Sequence, residues 1–304
     1  MSSAPSLSPP RKLGVLGCGS LGEFLIRNIQ SNPSLNLTIA FAWNRTPARL
    51  DALIQEGLIP ASARCDDLAT CSRFNADVII EVCHPDVTAE WGALLLQHSD
   101  FVCGSPTALA DDKVFSRLIQ SATDPTVNLM NKGLYIPSGA LWGAADLRKM
   151  SQRGTLAFLQ VTMKKHPLSL KLEGDIGDKL AAFVASGAEP GVECILYEGP
   201  VRNLCPLAPN NVNTMAAAAI AAYDSLGFDG VTCRLVADFG LDAHVITIDA
   251  QGKKKEGSSS PPFRVFTERY NPAAPGAVTG SATYVSFLSS IVETGGKGRG
   301  VFMC

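Results

Sequence analysis

A short apolar run, Leu13-Gly14-Val15-Leu16, stops at Gly17-Cys18-Gly19-Ser20-Leu21-Gly22, and a helical pattern with Leu21, Phe24, Leu25 and Ile29 on one face follows at once. Strand, glycine turn and helix in immediate succession commit the chain to a βα unit. In Gly-x-Gly-x-x-Gly each glycine has a steric task. The first permits a tight turn, the second lets the backbone approach a pyrophosphate, and the third lets the helix pack on the strand. The helix N-terminus adds unpaired N–H groups and a partial positive charge. Gly17, Gly19, Ser20, Leu21 and Gly22 are therefore candidate contacts of a dinucleotide. The competing reading is a glycine-rich loop with a structural role only.

The same rhythm continues. Apolar runs at Leu37–Trp43, Ala76–Val82 and Phe101–Cys103 are each followed by helix-compatible segments. Such alternation predicts an α/β class with a Rossmann, doubly wound parallel sheet over residues 12–138. Residues 1–11, rich in Ser and Pro, read as a flexible tail. After about Leu141 the pattern changes to strand-like segments at Leu156–Lys164, Glu193–Glu198, Thr232–Asp238 and His244–Ala250, with strong helices only at Asn213–Leu226 and Thr279–Val292. This predicts a second α+β domain with a mostly antiparallel sheet over residues 139–274, then a C-terminal segment, 275–304. Ala250–Pro262, with its three lysines and three serines, reads as a solvated hairpin loop.

The residues closing the second strand bear on the dinucleotide. A site for NAD usually places a carboxylate there, on the adenosine ribose hydroxyls. Here the positions hold Asn44, Arg45 and Thr46. Amide and hydroxyl donors with a guanidinium suit a 2′-phosphate, so NADP is favoured over NAD, against the plainer reading of Arg45 as a surface residue. Cys83 and His84 follow the third long strand, where the backbone would pass the nicotinamide ribose. His84 has a cofactor-edge role or a turn role there. In Pro209-Asn210-Asn211-Val212-Asn213-Thr214, an asparagine such as Asn211 or Asn213 either contacts the nicotinamide carboxamide or a substrate carboxylate, or merely caps the following helix.

Composition excludes several classes. The net charge of −2, from 26 basic and 28 acidic residues, lacks the footprint of a nucleic-acid binder. No apolar stretch approaches the length of a membrane span and no signal-like region opens the chain, so a cytoplasmic protein with no membrane partner is expected. Nine cysteines without a C-x-x-C pair fit neither a disulfide framework nor a metal site.

With these pieces in place, the chain resembles the aspartate dehydrogenase family, in particular its animal branch. The resemblance rests on GCGSLG at 17–22, PSGA at 137–140, YEGPVRNLCPLAPNNVNT at 197–214, VADFGLDAHVI at 236–246 and NPAAPGAVTGSAT at 271–283. It implies a homodimer formed through the second domain and a C-terminal helix packed back on the Rossmann domain. It implies the reversible oxidative deamination of L-aspartate to oxaloacetate and ammonia through iminosuccinate. It further implies Ala140 and Asn213 as cofactor contacts and His244 as the catalytic acid/base. A histidine suits that role, because hydride removal needs a neutral amine and the imine must then be hydrated. Among the other histidines, His98 and His166 read as surface residues. A dicarboxylic substrate also needs cationic donors, for which Lys164, Lys165, Lys171 and Arg202 are all available. Two readings stay open beside this one: a same-fold dehydrogenase or imine reductase acting on another amino or keto acid, and a catalytically weakened NADP-binding protein.

Overall fold

A computed structural model describes residues 9–257, 259–277 and 279–304. Most of the expected tail, residues 1–8, lies outside them, as do Ser258 and Val278. The chain first forms strands β1 (Arg11–Leu16), β2 (Leu37–Trp43), β3 (Arg64–Cys65), β4 (Val78–Glu81), β5 (Asp100–Cys103) and β6 (Gly133–Ile136). It continues with β7 (Leu156–Lys165), β8 (Cys194–Pro200), β9 (Thr232–Ala237), β10 (Ala243–Gly252) and β11 (Arg264–Pro272), and ends with β12 (Gly300–Met303). Helices α1 (Ser20–Ser31), α2 (Ala48–Gln55), α3 (Pro85–Leu95) and α4 (Asp112–Thr123) supply crossovers in the first half.

The first sheet has the order β12-β6-β5-β4-β1-β2-β3, with parallel pairing throughout. Its central strands are buried on both faces, and β4 and β5 are buried along their whole length. That accounts for their continuous apolar runs, because helices cover both sides of a doubly wound sheet. The strand order reverses between β1 and β4. Their carboxyl ends therefore open a crevice, the place where open α/β sheets bind ligands.

The second sheet has the order β11-β10-β7-β9-β8 and is antiparallel except for β7 with β9. The β10–β11 hairpin shows the expected 250–262 loop to be shorter, because pairing runs on to Gln251 and Arg264. The alanine-rich helix Asn213–Ala221 is buried on every side from Met215 onward, packed against Pro106–Ala110 and Ala144–Gln152. A helix apolar all round belongs in a core, and its methyl side chains let both neighbours approach closely. It ends five residues short of the expected Leu226, because Gly227, at φ +60°, returns its N–H to the Ala222 carbonyl.

The C-terminal helix Ser281–Glu293 packs on α1, with Tyr284 edge-on to Phe24 at 5.2 Å and Ile291 fully buried. Strand β12 then joins the first sheet beside β6, a pairing too short and too close to the chain end to stand out in the sequence. At the other terminus Arg11 belongs to β1, not to the tail. Its guanidinium donates to the Ile291 carbonyl at 2.8 Å and to Thr294, pinning the end of the last helix to the first strand. Among the described residues, no helix is long and apolar enough to cross a membrane.

Candidate active site

The glycine turn sits in the crevice between β1 and β4. Gly17 has φ +103°, a left-handed geometry that favours glycine. A Cβ on Gly22 would lie 1.8 Å from the Gly17 carbonyl oxygen, so α1 can approach the turn only without one. A Cβ on Gly19 would meet nothing within 4 Å. The first and third glycines thus serve the turn and the packing, and the second leaves open space above the amides of Ser20 and Leu21 at the helix start. A pyrophosphate needs that space, and the residues present fit it.

Two polar residues brace the turn. The Asn44 carboxamide accepts from the Cys18 N–H at 2.9 Å and donates to the Thr46 carbonyl at 3.0 Å. Asn44 therefore locks the turn to the end of β2 with one of its two amide N–H groups, and Arg45 and Thr46 are exposed beside it. Glu81, at the end of β4, has no exposed surface. Its carboxylate accepts from the Cys83 and His84 N–H groups at 2.7 and 2.9 Å, from Thr88 Oγ1 at 3.0 Å, and from the Ser105 N–H and hydroxyl at 2.8 and 2.9 Å. One buried acid thus holds the loops after two neighbouring strands. The sequence reading passed over it, although a carboxylate closing an otherwise apolar strand was the available signal. The His84 imidazole accepts from the Asp86 N–H at 3.3 Å and caps α3, so its turn role is the one present in the structure. Burial raises the thiol pKa of Cys83, and the nearby charge of Arg45 opposes this.

Where the second sheet faces the first domain, a chamber of about 90 Å³ is lined by Ala140, Lys165, Asn213, Thr214, His244 and Asn271, among others. His244 is 4% exposed at the start of β10, and Lys165 is 2% exposed at the end of β7. His244 Nε2 lies 3.0 Å from the Ala277 carbonyl. A carbonyl only accepts, so Nε2 carries the proton and the Nδ1 lone pair is left to take another. Burial and the Lys165 ammonium lower the imidazole to about 4, with the Ala277 contact opposing them. Burial lowers Lys165 to about 8, and its Nζ donates to the Asn211 carbonyl at 3.2 Å. At neutral pH the chamber therefore holds a neutral imidazole beside a mainly charged ammonium.

The other candidates are engaged elsewhere. Lys164 pairs with Glu193, Arg202 pairs with Asp229 and Asp112, and Lys171 is exposed. The Asn211 side chain is spent on the scaffold, donating to the Ser169 carbonyl at 3.0 Å and accepting from the Lys171 N–H at 2.9 Å. Only its backbone carbonyl serves the chamber, through Lys165. Asn213 does not cap its helix, and its Oδ1 is buried without a partner. His98 is exposed and His166 caps the short turn at Pro167–Ser169. The carboxylates near His244 in sequence serve turns: Asp238 accepts from the Gly191 and Gly240 N–H groups at 2.8 and 2.7 Å, and Asp242 accepts from the Tyr270 hydroxyl.

Comparison with known proteins agrees with both halves. Residues 17–130 match the NAD-binding domain of homoserine dehydrogenase, and residues 146–290 match the C-terminal domain of aspartate dehydrogenase. An aspartate dehydrogenase domain-containing protein of Xenopus tropicalis is 44% identical over 96% of this chain and 98% of its own length. The chain belongs to the aspartate dehydrogenase domain-containing protein family. More distant members of the group include an L-aspartate dehydrogenase of Methanopyrus kandleri, 26% identical over 78% of this chain and 82% of its own. The fold is that of the crystal structure of aspartate dehydrogenase from Thermotoga maritima, with a TM-score of 0.62 at 17% identity, covering 93% of this chain and 94% of the other. The family's nicotinamide-binding half is thus the β1–β6 region, and its characteristic half carries His244 and Lys165.

Proposed function

We propose that the protein catalyses the reversible NAD(P)-dependent oxidative deamination of L-aspartate to oxaloacetate and ammonia through iminosuccinate. The observation that carries this reading is the burial of His244 and Lys165 together in one chamber that has no carboxylate among its described lining residues. A cation without a protein anion seeks one in its ligand, and a dicarboxylate supplies it. A bound nicotinamide supplies the hydride acceptor, and its carboxamide has a donor to satisfy the unpartnered Asn213 Oδ1. His244 takes a proton from the substrate ammonium, so that the amine is neutral when hydride leaves Cα. Once it has passed that proton to solvent, the same imidazole takes a proton from the water that adds to the imine. Lys165 holds a substrate carboxylate, and Ala140 shapes the wall between the domains.

NADP is the favoured cofactor, because Arg45 and Thr46 stand exposed where an NAD site carries an acid. The homodimer reading is supported by β11, the edge strand of the second sheet, which exposes Val265, Phe266 and Tyr270, with Phe263 and Trp142 exposed as well. An edge so apolar is normally covered. Steady-state assays with oxaloacetate, ammonium and either NADPH or NADH test the reading. Turnover is expected, faster with NADPH at low cofactor concentration. A protein that binds NADPH but turns over with neither cofactor would refute it.

A further inference from the structure

The β10–β11 register sets His244 directly opposite Asn271, so the two side chains share one face of the sheet. Asn271 is 2% exposed and lines the same chamber as His244 and Lys165. Its Nδ2 donates to Thr283 Oγ1 at 3.3 Å, and Gly280 packs so closely that a Cβ there would lie 2.2 Å from Nδ2. The same Cβ would lie 2.9 Å from Oδ1, so Gly280 packs against the whole amide, and Oδ1 is buried without a hydrogen-bond partner. A buried acceptor left empty costs about 1–3 kcal/mol, which a protein seldom bears at a site with no ligand.

We propose that Asn271 is the amine-recognising residue of the chamber, its Oδ1 accepting from the substrate amino group in deamination and from ammonia in the reverse direction. The assignment rests on the aspartate reading above. It places the amino nitrogen between a proton acceptor, His244, and a neutral hydrogen-bond acceptor. Neutrality matters to the chemistry. A carboxylate at this position would stabilise the ammonium form and oppose its deprotonation, whereas an amide oxygen holds either form with little bias. The ammonium of Lys165 has no lone pair to offer an amine, so the division of labour is chemical: Lys165 for a carboxylate, Asn271 for nitrogen.

The test compares two ligands that differ only in the amino group, L-aspartate and succinate, titrated calorimetrically into the NADPH-bound protein, where no turnover occurs. Asn271→Leu, which keeps the branched outline and removes the amide, is expected to weaken L-aspartate at least tenfold and succinate less than twofold. In steady state it raises the KM for ammonium and leaves that for oxaloacetate. Equal weakening of both ligands, or none of either, overturns the assignment while leaving the aspartate reading intact. Failure of the wild-type protein to bind either ligand, with NADPH still bound, overturns both. If the leucine variant does not retain NADPH, Asn271→Ser is measured in the same way, with the same expected split between the two ligands.

Discussion

The ammonium of Lys165, at the end of β7, depresses the basicity of His244 on the adjacent strand β10, adding to the effect of burial. The pairing is unfavourable for the protein alone. It becomes favourable when an anionic substrate neutralises the lysine and thereby lets the imidazole hold a proton. On the proposed reading, substrate binding and base strength are coupled through this one pair of side chains.

His244→Ala is expected to lower turnover by about 10²–10⁴-fold, the usual worth of a positioned general base, with NADPH affinity nearly unchanged. Parallel steady-state assays and cofactor titrations check this. An unaltered rate removes His244 from the mechanism.

Lys165→Met is expected to lose activity and gain stability. In the folded protein the lysine falls from its ordinary 10.5 to about 8, so its charged form is disfavoured by folding. That penalty is fully present below pH 8 and is relieved as pH rises from 8 to 10.5. At neutral pH it amounts to roughly 3 kcal/mol, and the methionine variant should recover ~1–3 kcal/mol in denaturant unfolding. Succinate affinity of the wild-type holoprotein should fall as pH rises through about 8, a dependence the variant lacks.

His244 makes its own contribution in acid. Its folded value of about 4 against an ordinary 6.5 means the neutral form is favoured by folding. Stability is then complete above pH 6.5 and is lost as pH falls toward 4, by roughly 3 kcal/mol. Unfolding midpoints of wild type and His244→Gln between pH 4 and 7 should converge at the acid end.

Arg45→Ala is expected to weaken NADPH by about tenfold, the scale of one charge-assisted contact, and NADH by less than twofold. Fluorescence titration of both cofactors decides it, and equal losses would show that Arg45 does not meet the 2′-phosphate.

Glu81→Gln is expected to destabilise the fold by ~2–4 kcal/mol, because an amide cannot accept from all five donors that converge on the carboxylate. The loops that carry Cys83 and Ser105 should gain hydrogen-exchange rate together, since one group holds both.

Local patterning in the sequence was enough to determine β1, β2, β4 and β5 of the first sheet, whereas the short edge strands β3 and β12 did not stand out. A glycine turn between an apolar run and an amphipathic helix has one steric solution, and buried parallel strands announce themselves as unbroken apolar runs. The family motifs likewise pointed to His244 by position. Which lysine met the histidine was undecidable from the chain, because Lys164 and Lys165 are neighbours that a strand sends to opposite faces. Only the pairing of β7 with β10 sent Lys165 inward and left Lys164 to Glu193. The same holds for Asn271 and Asn211. One asparagine became an open acceptor and the other a scaffold bond, according to what the folded chain brought within 3 Å of each. Sequence periodicity determines which residues are buried; the partner each finds there depends on strand register, which long-range packing alone sets.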